Sequence, residues 1–244
     1  MRRWLPVLGL AALAFLLRAR AAERSAQEAF ALNGDEANYW RLGSHWARHG
    51  VLGYEAAVPS AGWPPLYPAF IAITQIGSWP PRPSCVRLAQ AALGAAGVVI
   101  LFLAGSSLGG GPAERRPDAA GLVAAAIGAL HPDLIRGAAV LRTEALDAFL
   151  ISVAAWAMLA WVRRPERRSA AIFGFCLSAC LWARSTLFLA PLLAAAAGAL
   201  FPKRLPRFRD WAPALLLGAY LPLLPWVARN ALNFREFIPF ERLP

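Results

Sequence analysis

Two adjacent carboxylates, Asp35 and Glu36, are the residues of this sequence whose type and position most readily suggest chemistry. They follow Asn33-Gly34 at the start of a helical pattern, in a chain with only 14 acidic residues. Carboxylates in a first helical turn accept hydrogen bonds from unpaired amides and face the positive end of the dipole, so helix capping is the simplest interpretation. A carboxylate held in this way stays ionised at neutral pH, as a general base must be. Tyr39 lies one turn further along the same helical face as Asp35.

Charged side chains also stand at one end of several apolar runs. A charge at this depth usually faces the protein interior, pairs or lines a pathway, although a single arginine can also extend to the lipid head groups. All of these sites fall on the side predicted for Asp35, so we expect a shared polar cavity. Guanidinium groups match phosphate bidentately, which favours a phosphate-bearing ligand. The residues are Arg136, Arg142, Glu144, Arg184 and Arg229, with Asn230 beside the last.

The elements that must position these residues are apolar helices. Residues of the apolar types make up 58% of the chain, 16% is charged, and the mean hydropathy is +0.46. A soluble domain is nearer half apolar and a quarter charged, and the excess here lies in long runs, which indicates membrane spans. We predict an all-α, polytopic membrane protein forming a single membrane domain over residues 1–244. The seven predicted spans are 4–17, 86–108, 119–130, 145–162, 169–181, 187–201 and 211–227.

The first apolar run is short and the last one contains prolines. Residues 4–17 are short for a span and resemble a secretory signal, with Ala19-Arg20-Ala21 as a cleavage site. Snorkelling of Arg18 and Arg20 could lengthen the run, and we interpret it as an uncleaved anchor because the later spans then orient consistently. The prolines of residues 211–227 must bend that span or end it early.

The basic residues give the orientation. Four short connections (the N-terminus, 109–118, 163–168 and 202–210) total 28 residues and hold 12 of the 25 lysines and arginines. The long loop 18–85 holds six in 68 residues. The positive-inside rule therefore predicts a protein of the inner (plasma) membrane with a cytoplasmic N-terminus and an extracytoplasmic 18–85 loop. Nucleic-acid binding is not expected from the net charge of +11, because the basic residues are not gathered on one solvated face.

The long loop is predicted to contain two helices that lie at the membrane interface. One begins near Asp35 and ends at Gly50, a typical C-cap. Residues 59–68 contain several prolines and must be extended or turned, and residues 66–76 are apolar enough for the second helix. The three cysteines have the spacing of neither a disulfide framework nor a zinc site.

These motifs resemble the GT-C glycosyltransferases. Gly34-Asp35-Glu36-x-x-Tyr39 after a first span is similar to the acidic motif of bacterial relatives of the protein O-mannosyltransferases and of the lipid A aminoarabinose transferase. Trp63 stands where the family usually has a basic residue. Further segments resemble family elements in the same order: residues 62–70, 131–135 with 141–146, 184–189 and 225–230.

The resemblance implies a seven-span module and a sugar donor linked to polyprenyl phosphate. The acceptor would be a hydroxyl of a lipid, glycan or protein on the outer face. Asp35 would be the general base in an inverting transfer, with Glu36 and Tyr39 supporting it or touching the acceptor. The residues implied for the cavity and the donor phosphate are Arg142, Glu144, Arg184 and Arg229.

The resemblance leaves the cofactor and the activity open. No nucleotide is expected, and two acids could hold a divalent cation, although Asp35-Glu36 alone specifies none. Members of the family usually continue past the seventh span, whereas this sequence ends at Pro244. The main alternative is therefore a truncated, non-catalytic membrane protein of the same fold. A transporter or lipid carrier is a weaker alternative, since it should show internal repeats and polar groups at mid-span.

Overall fold

A computed structural model of the protein describes residues 4–28, 32, 34–55, 57–77, 80–108, 117–203 and 205–242. These residues form α-helices and the connections between them, with 3₁₀ turns at Ser185–Leu187 and Leu221–Leu223, and no β-strand occurs among them. The all-α prediction is confirmed for this part of the chain. The helices are α1 Trp4–Glu28, α2 Asp35–His49, α3 Leu66–Thr74, α4 Pro83–Leu108, α5 Pro117–Leu130, α6 Pro132–Gly137, α7 Glu144–Arg163, α8 Arg167–Ala183, α9 Ala190–Leu200, α10 Phe208–Tyr220 and α11 Leu224–Phe234.

Among the described residues, four helical segments are long and apolar enough to cross a membrane: Trp4–Ala26, Pro83–Leu108, Glu144–Arg163 and Phe208–Phe234. Two apolar helical segments, Ala119–Leu130 and Ser185–Leu200, are shorter. These helices and the composition indicate an integral membrane protein. The count of seven spans is not confirmed and stays a prediction.

Two boundaries differ from the sequence prediction. Helix α1 does not end near Leu17 but continues to Glu28, so the first part of the predicted 18–85 loop is helical. The short helix α6 was not predicted; His131 is its N-cap and Pro132 its first residue, a common helix start.

The predicted break in the last span is confirmed, because the 3₁₀ turn at Leu221–Leu223 separates α10 from α11. Residues 109–116 of the predicted basic connection 109–118 lie outside the described residues.

The helices cluster into two compact units. The first unit comprises Met1–Ser60 and Tyr67–Ser152, and the second comprises Ala61–Leu66 and Val153–Pro244. Residues 61–66 therefore belong to the second unit, although the chain on both sides of them belongs to the first. The single-domain prediction stays a prediction, because this clustering describes packing within each unit only.

In the first unit, α1, α4 and α5 pack around a core of small and apolar residues. Glycines permit a close crossing of α4 and α5: a Cβ added at Gly105 would lie 2.8 Å from the carbonyl oxygen of Ala120, and one at Gly121 would lie 2.6 Å from that of Phe102. Small residues at such contacts let membrane helices approach closely. The core residues are Val7, Ala14, Val98, Phe102, Ala125 and Ala129.

In the second unit, α8 and α10 pack side by side. A Cβ added at Gly174 would lie 2.2 Å from the carbonyl oxygen of Leu215, so these backbones are in direct contact. An aromatic cluster lies beside this contact, with the ring of Trp161 centred 5.5 Å from Phe173 and 4.8 Å from Trp211. Edge-on and offset aromatic pairs of this kind add to the energy of burial.

Arg18 is a charged residue buried in the first unit, where it is only 2% exposed. Its guanidinium donates to the carbonyl oxygens of Gly128 at 2.8 Å and of Ala14 and Ala129 at 3.2 Å. Two of these carbonyls lie in the last turn of α5, where they lack helical partners and where the helix dipole favours a cation. The prediction that Arg18 extends to the lipid head groups is therefore wrong, because α5 supplies acceptors inside the protein.

Replacing Arg18 should destabilise the first unit. Arg18→Ala removes three hydrogen bonds from a charged donor and leaves the end of α5 without its cap, at a cost of about 2 kcal/mol in the free energy of unfolding. Thermal unfolding in detergent checks this, with Arg20→Ala as the matched control, since Arg20 is an exposed arginine on the same helix. An equal loss of stability in both variants would contradict the capping role.

Candidate functional site

The acidic motif begins α2. Gly34 is the N-cap with φ 54°, a conformation that favours glycine, and Asp35 and Glu36 are the first two helical residues. The predicted C-cap at Gly50 is confirmed: it has φ 70°, and its amide donates to the carbonyl oxygen of Trp46 at 2.9 Å. Asn33 lies outside the described residues. The helix start therefore places two carboxylates side by side on one turn.

The two carboxylates have different surroundings. Asp35 is exposed, whereas Glu36 is half-buried and its Oε1 accepts a hydrogen bond of 2.7 Å from the amide of Leu141. This oxygen is bound to a segment 105 residues away along the chain rather than to the first turn of its own helix. Glu36 thus makes a structural contact, whereas the carboxylate of Asp35 is exposed.

The segment that Glu36 contacts is the non-helical connection between α6 and α7, residues 138–143, here called the clamped segment. Its carbonyl groups are bound by two side chains of α4. Arg87 Nε donates to Ala139 at 2.8 Å, and Gln90 Nε2 donates to Ala138 at 3.0 Å and to Val140 at 2.8 Å. Backbone groups of a buried, non-helical segment need such partners. Glu36, Arg87 and Gln90 therefore fix the clamped segment to α2 and α4.

Tyr67 and Tyr39 complete this network. The Tyr67 hydroxyl donates to Gln90 Oε1 at 2.5 Å, and its ring meets the Tyr39 ring edge-on at 4.9 Å. Burial, with the nearby charge of Glu144, raises the pKa of Tyr67 well above its ordinary value of 10.0. The phenol thus stays protonated in the folded protein, and its contribution to stability is present below pH 10 and lost as the pH rises further.

Arg142 and Glu144 stand at the end of the clamped segment. Arg142 is exposed, and its amide donates to the carbonyl oxygen of Val140 at 3.0 Å. Glu144 is exposed at the start of α7 and, with Arg18 and Gln90, borders a cavity of about 50 Å³. Within the first unit the structure thus brings Glu36 and Tyr39 into one network with the segment that precedes Glu144.

Arg136 has a local partner. Its guanidinium binds the carboxylate of Asp133, one turn earlier in α6, and both side chains are exposed. This hydrogen bond and the positive charge of Arg136 lower the pKa of Asp133. The pair accounts for Arg136 without a ligand.

Arg184 and Arg229 belong to the second unit. Arg184 is exposed at the C-cap of α8, where its amide donates to the carbonyl oxygen of Cys180 at 2.8 Å. Arg229 is half-buried, with its guanidinium 4.9 Å from the centre of the Trp226 ring and its Nη1 donating to Asn230 Oδ1 at 2.8 Å. The aromatic face and the amide orient this guanidinium.

The segment 235–242 connects the surroundings of these two arginines. Asn230 is fully buried and donates to the carbonyl oxygen of Ile238 at 3.0 Å, while Ser185, next to Arg184, donates to Glu241 Oε1 at 3.3 Å. The amide of Arg242 donates to the carbonyl oxygen of Ala61 at 2.7 Å, which attaches the start of the Gly62–Phe70 motif to the same segment. A single cavity shared by the acids and all the arginines stays a prediction, because the two sets lie in different units.

Sequence reasoning missed Arg87, Gln90 and Tyr67 as parts of the site. Arg87 and Gln90 are polar residues three positions apart in a predicted span, which places them on one helical face. A polar residue in a membrane helix usually binds another part of the protein or a ligand, so the sequence contained a signal for Arg87 and Gln90. Tyr67 had no such signal, because an aromatic residue in this proline-containing segment is as typical of a hydrophobic core as of a functional site.

Metal binding has no geometric support in the described part of the chain. No group of three or more histidine, cysteine or acidic side chains that could hold a metal ion occurs there. Use of a divalent cation stays a prediction.

No protein-family model, no curated protein and no solved structure matches this chain. The resemblance to the GT-C glycosyltransferases therefore depends on the sequence motifs alone.

The contact between Glu36 and Leu141 gives a test of the network. Glu36→Ala leaves the Leu141 amide without its acceptor, at a cost of about 1–3 kcal/mol, and should raise amide hydrogen exchange across residues 138–143. Glu36→Gln retains an oxygen acceptor and should exchange nearly as slowly as the wild type. Hydrogen-exchange mass spectrometry in detergent micelles measures both variants.

Glu55→Ala is the control for this experiment, because Glu55 is an exposed acid in the same loop. The role of Glu36 would be disproved by wild-type exchange in Glu36→Ala, or by equal acceleration in Glu36→Ala and Glu55→Ala.

Proposed function

We propose that the protein is an inverting glycosyltransferase that moves a sugar from a polyprenyl-phosphate carrier to an acceptor hydroxyl on the extracytoplasmic face of the membrane. The observation that carries this proposal is that the two acids of the motif have different surroundings. Glu36 is bound to the amide of Leu141, whereas Asp35 is exposed beside it on the same helical turn. Of the two carboxylates, Asp35 is thus the one available for proton transfer to or from a substrate.

In the proposed reaction, Asp35 accepts the proton of the acceptor hydroxyl. The acceptor oxygen then forms a bond to the anomeric carbon while the bond from that carbon to the phosphate oxygen breaks. Attack from the face opposite the phosphate inverts the configuration, and the polyprenyl phosphate leaves with the bonding electron pair. General-base catalysis of this kind typically contributes about 10²- to 10⁴-fold to the rate.

The leaving phosphate needs positive charge. The candidates are Arg142 in the first unit and Arg184 and Arg229 in the second, since a guanidinium that binds phosphate stabilises the charge of the transition state. The contacts of Arg229 with Trp226 and Asn230 favour a fixed guanidinium. Glu144 follows Arg142 closely in the chain and is the acidic candidate beside it.

Tyr39 and Glu36 are proposed to support Asp35 rather than to bind the acceptor. Tyr39 is 6% exposed and packs against Tyr67, and the carboxylate of Glu36 binds the clamped segment. Both contacts hold the first turns of α2 in place. A catalytic base must be held within hydrogen-bond reach of its proton, so this support belongs to the mechanism.

The proposed placement is that of a seven-span protein of the inner membrane with a cytoplasmic N-terminus. The four long apolar helices support the membrane location, and the basic connection at residues 163–168 supports the orientation. Helices α2 and α3 would then lie at the extracytoplasmic interface. Membrane lipids surround the exposed apolar faces of the spans.

The proposal predicts that Asp35→Asn strongly slows transfer. The amide keeps the size of the side chain but cannot accept the proton, so the rate should fall by about 10²- to 10⁴-fold. The assay follows the release of polyprenyl phosphate from a panel of polyprenyl-phosphate sugars by the purified protein in lipid vesicles, with lipid, glycan and peptide hydroxyl acceptors supplied. Glu55→Gln, at an exposed acid of the same loop, is the matched control and should keep the wild-type rate.

Each outcome of this assay has a distinct meaning. Wild-type transfer by Asp35→Asn would remove Asp35 as the base. If the folded wild-type protein consumes none of the donors with any of the acceptors, the result would contradict the proposed transfer and favour a non-catalytic membrane protein of the same fold. Transport of an intact lipid-linked sugar across the vesicle membrane, without cleavage, would favour the carrier alternative.

A further inference from the structure

A continuous groove runs along α8 and α10 on the surface of the second unit, here called the α8–α10 groove. Its polar end is a cleft of about 570 Å³ between the start of α8 and the start of α10. Its apolar end is a trough of about 760 Å³ that continues along both helices. Arg167, Ala214 and Leu217 line both parts, so the cleft and the trough form one surface.

The polar end of the groove is basic. Arginines line the groove at the beginnings of both helices and outnumber the two acids, Glu166 and Asp210, that lie among them. All of these side chains are exposed. The cluster therefore exposes several guanidinium groups at this end of the groove. The arginines are Arg167, Arg168, Arg207 and Arg209.

The apolar end of the groove exposes large apolar side chains, which a bound apolar chain would bury. Ile172 and Phe175 of α8 are 50% and 62% exposed, and Leu217 and Leu221 are 58% and 55% exposed. Beneath them the two helices are in backbone contact, since a Cβ added at Gly218 would lie 2.6 Å from the carbonyl oxygen of Ala171. The trough is therefore a shallow, open depression, and the two backbones close its floor at Gly218.

The length of the groove corresponds to one leaflet of a bilayer. A helix rises about 1.5 Å per residue, so the path along the chain from Asp210 to Leu221 spans roughly 16 Å. This is about half of the roughly 30 Å hydrocarbon core of a membrane. A charged head at the arginines would thus place an acyl chain of ordinary length alongside Ile172, Phe175 and Leu217.

We propose that the α8–α10 groove is a binding site for an anionic diacyl phospholipid, with the phosphate at the arginines and one acyl chain in the trough. Basic pockets between membrane helices on the cytoplasmic side bind anionic head groups, each arginine adding to the attraction. A free phosphate would leave the apolar trough uncovered, and a zwitterionic lipid would gain less from the arginines. The site lies at the basic end of the second unit and does not depend on the proposed glycosyl transfer.

The head-group contact is tested with the full chain in vesicles of phosphatidylglycerol and phosphatidylcholine in equal amounts, followed by detergent extraction and native mass spectrometry of the retained lipids. The wild type should retain phosphatidylglycerol in preference. Arg207→Gln with Arg209→Gln should lower the ratio of retained phosphatidylglycerol to phosphatidylcholine about tenfold. The matched control is Arg163→Gln with Arg164→Gln, two exposed arginines that do not line the groove, and should change the ratio less than about twofold.

The acyl-chain contact is tested by filling the trough. Leu217→Trp enlarges an exposed side chain within it and should lower the total phospholipid retained several-fold without a change of charge. Leu193→Trp, at a leucine of α9 that is 66% exposed and does not line the groove, is the control and should retain lipid as the wild type does. Equal effects of the two tryptophans, equal effects of the two arginine pairs, or equal retention of both lipids by the wild type would overturn the proposal.

Discussion

In an apolar protein, every backbone group that leaves a helix needs a partner within the protein, and this constraint organises the first unit. Lipid offers no hydrogen bonds, so an unpaired amide or carbonyl is costly. The clamped segment meets this demand through Glu36, Arg87 and Gln90, and the end of α5 meets it through Arg18. Buried Arg18, Arg87 and Gln90 therefore pair with backbone carbonyl groups.

This demand also separates the two acids of the motif. The clamped segment needs an acceptor for the amide of Leu141, and Glu36 provides it, which leaves Asp35 exposed on the same turn. The same contact ties the start of α2 to the residues just before Glu144. A pair of carboxylates that looks redundant in the sequence therefore has one member for structure and one for the proposed chemistry.

Much of the helical framework could be predicted from the sequence, because apolar runs and breakers are local signals. The predicted runs 119–130 and 145–162 correspond closely to α5 and α7, and Gly50 ends α2 as expected. The partners of the polar side chains could not be predicted, because they depend on contacts far apart in sequence. Arg18 is the clearest case: the run ended at Leu17 because an arginine followed, yet that arginine is buried against α5.

The arginines of this protein show why residue type alone does not assign a role. Arg18 and Arg87 are buried and bound to carbonyl groups, whereas Arg229 is half-buried against an aromatic ring. Arg207 and Arg209 are exposed at the mouth of an apolar groove. A buried guanidinium bound to backbone carbonyls is shielded from a ligand at the surface, while the donors of an exposed one stay accessible. Burial and partners therefore separate the arginines that hold the fold from those that can bind a phosphate, whether of a sugar donor or of a membrane lipid.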